Sequence, residues 1–146
     1  MVYLIGFIWV LIDQLSKYFI TNNLFLYQSI PLIKDFLSLT LIYNTGIAFG
    51  LFKNKNILFL IFNFLIIVYF VFLERRGKVK RLTQKIGFGL ILGGAIGNLI
   101  DRIRFGYVID FIDFHFWPVF NIADVGITIG AVLFLFSFLG YGDKNK

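Results

Sequence analysis

Long apolar stretches separated by short polar ones set the layout of this chain. Residues 2–12 are uninterruptedly apolar, and the pattern runs on to Ile20 through Asp13, Gln14, Ser16 and Lys17. About 19 residues are enough to cross a hydrocarbon core, so 2–20 is predicted as a first span. A second is predicted over 57–73, interrupted only by Asn63, a third over 86–103 and a fourth over 121–139. The third repeats Gly89, Gly93 and Gly97 at four-residue spacing, and the fourth carries Gly126 and Gly130. Small residues at that spacing let membrane helices approach closely. The connection between the first two spans is not plain linker. Residues 36–43 (FLSLTLIY) partly alternate, Asn44-Thr45-Gly46 signals a turn, and residues 47–52 can run back. The pattern therefore predicts a single α-helical membrane domain over 1–146, with four transmembrane helices. A small β-hairpin or sheet over about 36–52 would lie on the membrane surface.

Composition narrows this further. The chain is 59% hydrophobic and 15% charged, with 20 Phe among 146 residues. A soluble domain of that size has too little interior to hide so much apolar surface. A cleaved signal peptide is disfavoured for 2–20, because no Lys or Arg precedes it and no small-residue cleavage site follows. There is no Cys and one His, which excludes thiol chemistry and two-His zinc sites. The net charge of +6 does not indicate nucleic acid, because the basic residues collect beside the apolar runs. Residues 74–85 hold six Lys or Arg and the tail adds Lys144 and Lys146, against Lys34, Lys53 and Lys55 in the long first connection. The dense side is predicted to be cytoplasmic, with both termini there.

Candidate chemistry lies in residues 107–130, YVIDFIDFHFWPVFNIADVGITIG, where Asp110 and Asp124 sit among aromatic and branched apolar residues. An ionised carboxylate in such surroundings is costly unless it has a partner or a task. A continuous helix would hold the two acids about 21 Å apart. Pro118 should break that helix and let the chain loop back, so Asp110 and Asp124 are predicted to meet at the outer face. Two close carboxylates cannot both ionise easily, and such a pair suits peptide hydrolysis by activated water. A Ser-His site would need His115 but has no Gly-x-Ser-x-Gly elbow, while Ser16 and Lys17 point about 100° apart on a helix. Spacing alone leaves an aspartyl hydrolase, an ion-handling protein and a structural bundle all open. Asp13 and Lys17 form an i, i+4 pair, read as a salt bridge that holds a helix end at the interface. Asn98, Asp101 and Arg102 share one face of the third span and should turn toward protein or water.

Five blocks in order resemble the lipoprotein signal peptidase family, also called signal peptidase II. They are DQLSK (13–17), NTGIAFG (44–50), GGAIGNLIDR (93–102), VIDFI (108–112) and FNIAD (120–124). The resemblance implies a membrane aspartyl endopeptidase of the bacterial inner membrane, with Asp110 and Asp124 as the catalytic dyad. It implies that Asn44, Asn98, Asp101, Arg102 and Asn121 line the site and bind substrate, while Asp13, Lys17 and Gly46 belong to structural motifs. It implies no metal or other cofactor, and a monomer among membrane phospholipids. The implied substrates are diacylglyceryl-modified prolipoproteins cut just before the lipidated cysteine, and the implied inhibitors are cyclic peptides such as globomycin.

Overall fold

A computed structural model describes residues 1–46 and 56–138. In chain order these form α1 (Val2–Asn23), β1 (Ser29–Ile33), β2 (Leu37–Asn44), α2 (Asn56–Arg75), α3 (Leu82–Phe105), β3 (Val108–Asp113) and α4 (Ile122–Phe138). Each helix falls on one of the apolar runs, and α1, α2 and α3 continue beyond the predicted ends. Among the described residues, α1 and α3 are long and apolar enough to cross a membrane, and α4 is a shorter apolar helix.

The helices are sorted by what they touch. Within its apolar window α3 is 67% buried, whereas α1 is only 22% buried. The small residues of α3 explain its central position. A Cβ placed on Gly93 would lie 2.7 Å from the carbonyl oxygen of Gly6 on α1, and one on Gly87 would lie 2.8 Å from that of Gly130 on α4. Any larger side chain at either place would force the helices apart. The outward faces stay apolar, with Phe7, Leu15, Tyr18 and Phe62 all exposed. The interior instead buries Asp13, Lys17, Asn98, Asp101, Asp110 and Asn121. Apolar side chains outside and polar ones within are what a lipid-facing bundle around a polar site requires.

The expected small sheet is present, but its strands pair differently from a simple 36–52 hairpin. It has three antiparallel strands in the order β1-β2-β3. Its middle strand, Leu37–Asn44, lies where strand chemistry was read, but its described partners are Ser29–Ile33 and Val108–Asp113. The predicted return strand 47–52 lies outside the described residues. β1 is exposed along its whole length and carries Pro31 beside an irregularity in register, as suits an edge strand that need not donate every N–H. β3 is delivered by the end of α3. Gly106 takes the left-handed conformation (φ 79°), and its N–H bonds the Arg102 carbonyl at 3.1 Å. This glycine stops the helix and turns the chain sharply into the strand.

Candidate active site

Asp110 reaches the site from β3. In the β2–β3 ladder Asp110 pairs with Ile42, and Val108 with Asn44. Asn44 closes β2, and its Oδ1 accepts the Gly46 N–H at 2.9 Å. Gly46 has φ 104°, a conformation open in practice to glycine. With its oxygen occupied, the Asn44 amide must turn its NH2 outward, and it donates to Asp110 Oδ2 at 2.7 Å. Asp110 Oδ1 accepts from Asn121 Nδ2, also at 2.7 Å.

Asp124 reaches the site from the first turn of α4. The Asp124 N–H donates to Asn121 Oδ1 at 3.0 Å, and the Asn121 N–H donates to Asp124 Oδ2 at 3.2 Å. This is a reciprocal capping box, and it fixes where α4 starts. The chain returns to that point because Ile112 and Phe120 exchange backbone hydrogen bonds at 2.8 and 3.1 Å, closing the loop that contains Pro118. Asn121 therefore stands between the two acids. Its backbone and side-chain oxygen hold Asp124, and its NH2 holds Asp110. Asp110 is 2% exposed, and burial, then the neighbouring Asp124 charge, pushes its pKa up from the ordinary 3.8 to about 7.

Below the acids lies a layer of buried charge. Lys17 Nζ sits 2.9 Å from Asp13 Oδ2 and 2.8 Å from Asp101 Oδ2, and it donates to Asn98 Oδ1 at 3.3 Å. Asn98 Nδ2 in turn donates to Asp124 Oδ1 at 2.8 Å. Asp101 Oδ2 accepts the Ile109 N–H at 3.1 Å, next to Asp110 in β3. Asp13 Oδ1 accepts the Ala123 N–H at 2.8 Å, next to Asp124 in α4. The interface reading of the Asp13–Lys17 pair is thereby corrected. Both side chains are sealed inside the bundle, because the polar positions of α1 turn toward α3 and α4 while its apolar face turns out. Arg102 donates to the Asn98 carbonyl at 3.2 Å and lies in the field of Asp124, Asp110 and Asp101.

Two residues of this network escaped the sequence reading. Gln14 donates to Asp101 Oδ1 at 2.9 Å and to the Gly97 carbonyl at 3.2 Å. Trp9 Nε1 donates to the Ile122 carbonyl at 3.1 Å. The recurrence of Trp9, Asp13 and Lys17 at four-residue intervals, with Gln14 alongside, marks that helix face.

Two cavities flank the acids. One, of about 340 Å³, is lined by Tyr43, Asn44, Asp110 and Pro118; the other, of about 320 Å³, by Trp117, Asp124, Val125 and Ile129. The loop carrying Trp117 and Pro118 lines both. Phe36, Phe114 and Phe116 pack together at its tip, with Phe36 and Phe114 centroids 5.3 Å apart. His115 also finds a serine, with Nε2 at 3.0 Å from Ser38 Oγ. That pair is no nucleophile site. Ser38 is buried, and Asp113 accepts the His115 backbone N–H and the Thr40 hydroxyl rather than orienting the ring. Among the described residues no group of three or more His, Cys, Asp or Glu is arranged to hold a metal ion.

Known proteins resemble this chain over most of its length. The sequence profile described as Signal peptidase (SPase) II matches residues 5–140. The lipoprotein signal peptidase of Halothermothrix orenii is 43% identical over 135 residues, covering 92% of each chain. That of Moorella thermoacetica is 44% identical over 128 residues, covering 88% of this chain and 85% of its own. A solved structure described as a bacterial membrane enzyme superposes with a TM-score of 0.88 at 32% identity, over 99% of this chain and 93% of its own. A second, described in the same words, gives 0.86 at 34% identity over 94% and 92%.

Proposed function

Because this chain belongs to the signal peptidase II family, the aspartic-type membrane peptidases that remove signal peptides from prolipoproteins, we propose that Asp110 and Asp124 are its catalytic pair. The observation that carries this reading is Asn121, which bonds one acid with its NH2 and the other with its oxygen and backbone N–H.

Asp110 is the protonated partner. It is buried, and its proton removes one of two negative charges that would otherwise face each other. Asp124 lies on the first turn of α4, where free N–H groups suit a negative charge. Asp124 takes a proton from water as the water oxygen attacks the scissile carbonyl carbon, and Asp110 gives its proton to the carbonyl oxygen. In the collapse that follows, Asp124 returns its proton to the leaving nitrogen, the C–N bond breaks, and one hydroxyl of the intermediate reprotonates Asp110. Asn44 and Asn121 keep Asp110 in place throughout, and Asn98 does the same for Asp124.

The substrate is a diacylglyceryl-modified prolipoprotein cut just before its lipidated cysteine, with globomycin-type cyclic peptides competing for the same cavities. The apolar lining of the cavity beside Asp124, and the exposed Phe116 and Trp117 of the loop beside it, support a substrate that arrives within the bilayer surface. Four spans with both termini cytoplasmic, one domain and a monomeric enzyme complete the proposal. The basic residues of 74–85 support that orientation, with the acids and the sheet on the outer side.

The test is cleavage of a lipidated and an unlipidated prolipoprotein by purified protein. The lipidated form should be cut faster by orders of magnitude, because each buried CH₂ contributes roughly 0.8 kcal/mol that can orient the scissile bond. Asp110→Asn and Asp124→Asn should each abolish cleavage, and the double variant should be hardly worse than either, as expected of groups that act as one unit. Full activity in either single variant would refute the dyad.

A further inference from the structure

The charge layer beneath the acids is built in a way that simple fastening of helices does not require. Lys17 is a donor and never an acceptor, so it can meet Asn98 only at the amide oxygen. Asn121 Nδ2 meets the same oxygen at 3.1 Å. With its oxygen held by two donors, the Asn98 amide has one possible orientation, and its NH2 points at Asp124 Oδ1. Were the amide reversed, its oxygen would face the carboxylate and its NH2 would face an ammonium. Lys17 is itself held in place by Asp13 and Asp101, and all four side chains are at least 95% buried.

We propose that Lys17 is a positioning residue for the reaction: through the oxygen of Asn98 it sets the direction of that amide, and so aims the hydrogen bond that holds Asp124 toward the attacking water. Lys17 touches neither acid. Its effect passes along two bonds to Asp124, and through the shared Asn98 oxygen to Asn121 and Asp110. The Asp13 and Asp101 carboxylates extend the same control to the backbone. Each accepts an N–H from the residue next to a catalytic acid, Ala123 before Asp124 and Ile109 before Asp110. This inference rests on the dyad proposed above.

The experiment pairs Lys17→Met with Asp13→Asn, which removes one charge of each sign and leaves Asp101 to Gln14 and the Ile109 N–H. Thermal unfolding and cleavage of the lipidated substrate are measured together. Misaiming an acid by about 1 Å is expected to lower kcat by on the order of a hundredfold, while KM stays within about threefold. In an Asn98→Ala background the same pair should cost no more than about a further twofold, because the Lys17 route to Asp124 is already cut and the amide oxygen introduced by Asp13→Asn can still accept the Ala123 N–H. A kcat that does not fall in folded protein, or a loss of equal size in the Asn98→Ala background, overturns the proposal.

Should the paired variant not fold, the direction of the Asn98 amide in protein with Lys17 intact decides. With asparagine labelled by ¹⁵N, and Asn98 identified by its absence in Asn98→Ala, the Asn98 NH2 protons should shift in Asp124→Asn. Unchanged resonances would mean that the amide points the other way, and the proposal fails. Activity retained by Asp124→Asn would instead remove the dyad itself, a failure distinct from that of Lys17.

Discussion

Replacing Asp110 with asparagine is expected to abolish activity and, above neutral pH, to make the protein more stable. Burial and the Asp124 charge push Asp110 from 3.8 to about 7. An acid raised in this way binds its proton more tightly in the folded chain than in the unfolded one. Stability from this site is therefore full below the unfolded value near 3.8, and it drains away as the pH climbs toward 7. At roughly 1.4 kcal/mol per pH unit, the loss reaches about 4 kcal/mol at most. Asparagine resembles the protonated acid and escapes this loss. It also presents NH2 where either Asn44 or Asn121 donates, which costs back about 1 kcal/mol. The net gain should be about 3 kcal/mol near pH 8 and should vanish or reverse near pH 4. Thermal unfolding in detergent, followed through Trp9 and Trp117, measures it at both pH values beside a cleavage assay. A variant no more stable than the wild type near pH 8, or a gain that does not depend on pH, would refute the reasoning.

Activity should fall as the pH rises through about 7, because Asp110 then loses the proton it must give to the carbonyl oxygen; a pH profile of kcat/KM that stays flat above neutrality would contradict its role as the acid. Gly94→Ala would drive a Cβ into the Ala123 carbonyl oxygen and within 2.8 Å of Ile127. Overpacking should cost about 1–3 kcal/mol in thermal stability. Because Ala123 precedes Asp124, cleavage should drop by up to about a hundredfold. Gly6→Ala, whose nearest neighbour would be the Gly89 carbonyl oxygen at 3.2 Å, is the comparison and should cost less than Gly94→Ala in both stability and cleavage. Orientation is checked with single cysteines in this Cys-free chain: an impermeant thiol reagent applied to intact cells should label Gln28→Cys and spare Gly77→Cys.

The helices could be read directly, because each buries or presents a long apolar run that little else in a chain produces. The strands were harder. β2 carries partial alternation, but β1 holds a proline and is exposed throughout, so no periodicity marks it. β3, VIDFID, is buried over its first four residues, which removes the alternation that would announce a strand. Its partner β2 lies more than 60 positions upstream, as Asn44 and Asp110 show. The acids themselves could be found because a carboxylate among aromatic residues needs a reason. The amides Asn44, Asn98 and Asn121 came mainly from the family resemblance, and which acid each one holds could not be read, since that is decided only when three separate elements meet. Asp13 and Lys17 were visible as a pair but not as an interior one; their depth follows from the helix face they share with Trp9, not from their spacing alone.

The 81 positions between Lys17 and Asn98 also separate them in time. During synthesis α1 leaves the ribosome long before α3 exists to receive it. An unaccompanied ammonium in the middle of a helix costs roughly 3 kcal/mol to insert into a bilayer. Here Asp13 lies one turn earlier in the same helix, so the charge travels with its own counter-ion and α1 enters the membrane as a neutral segment. When α3 follows, Asp101 and Asn98 draw the ammonium inward, and when α4 follows, the Ala123 N–H completes Asp13. The chain order of α1, α3 and α4 thus allows this buried pair to gain its partners one helix at a time, with Asp13 beside Lys17 from the start.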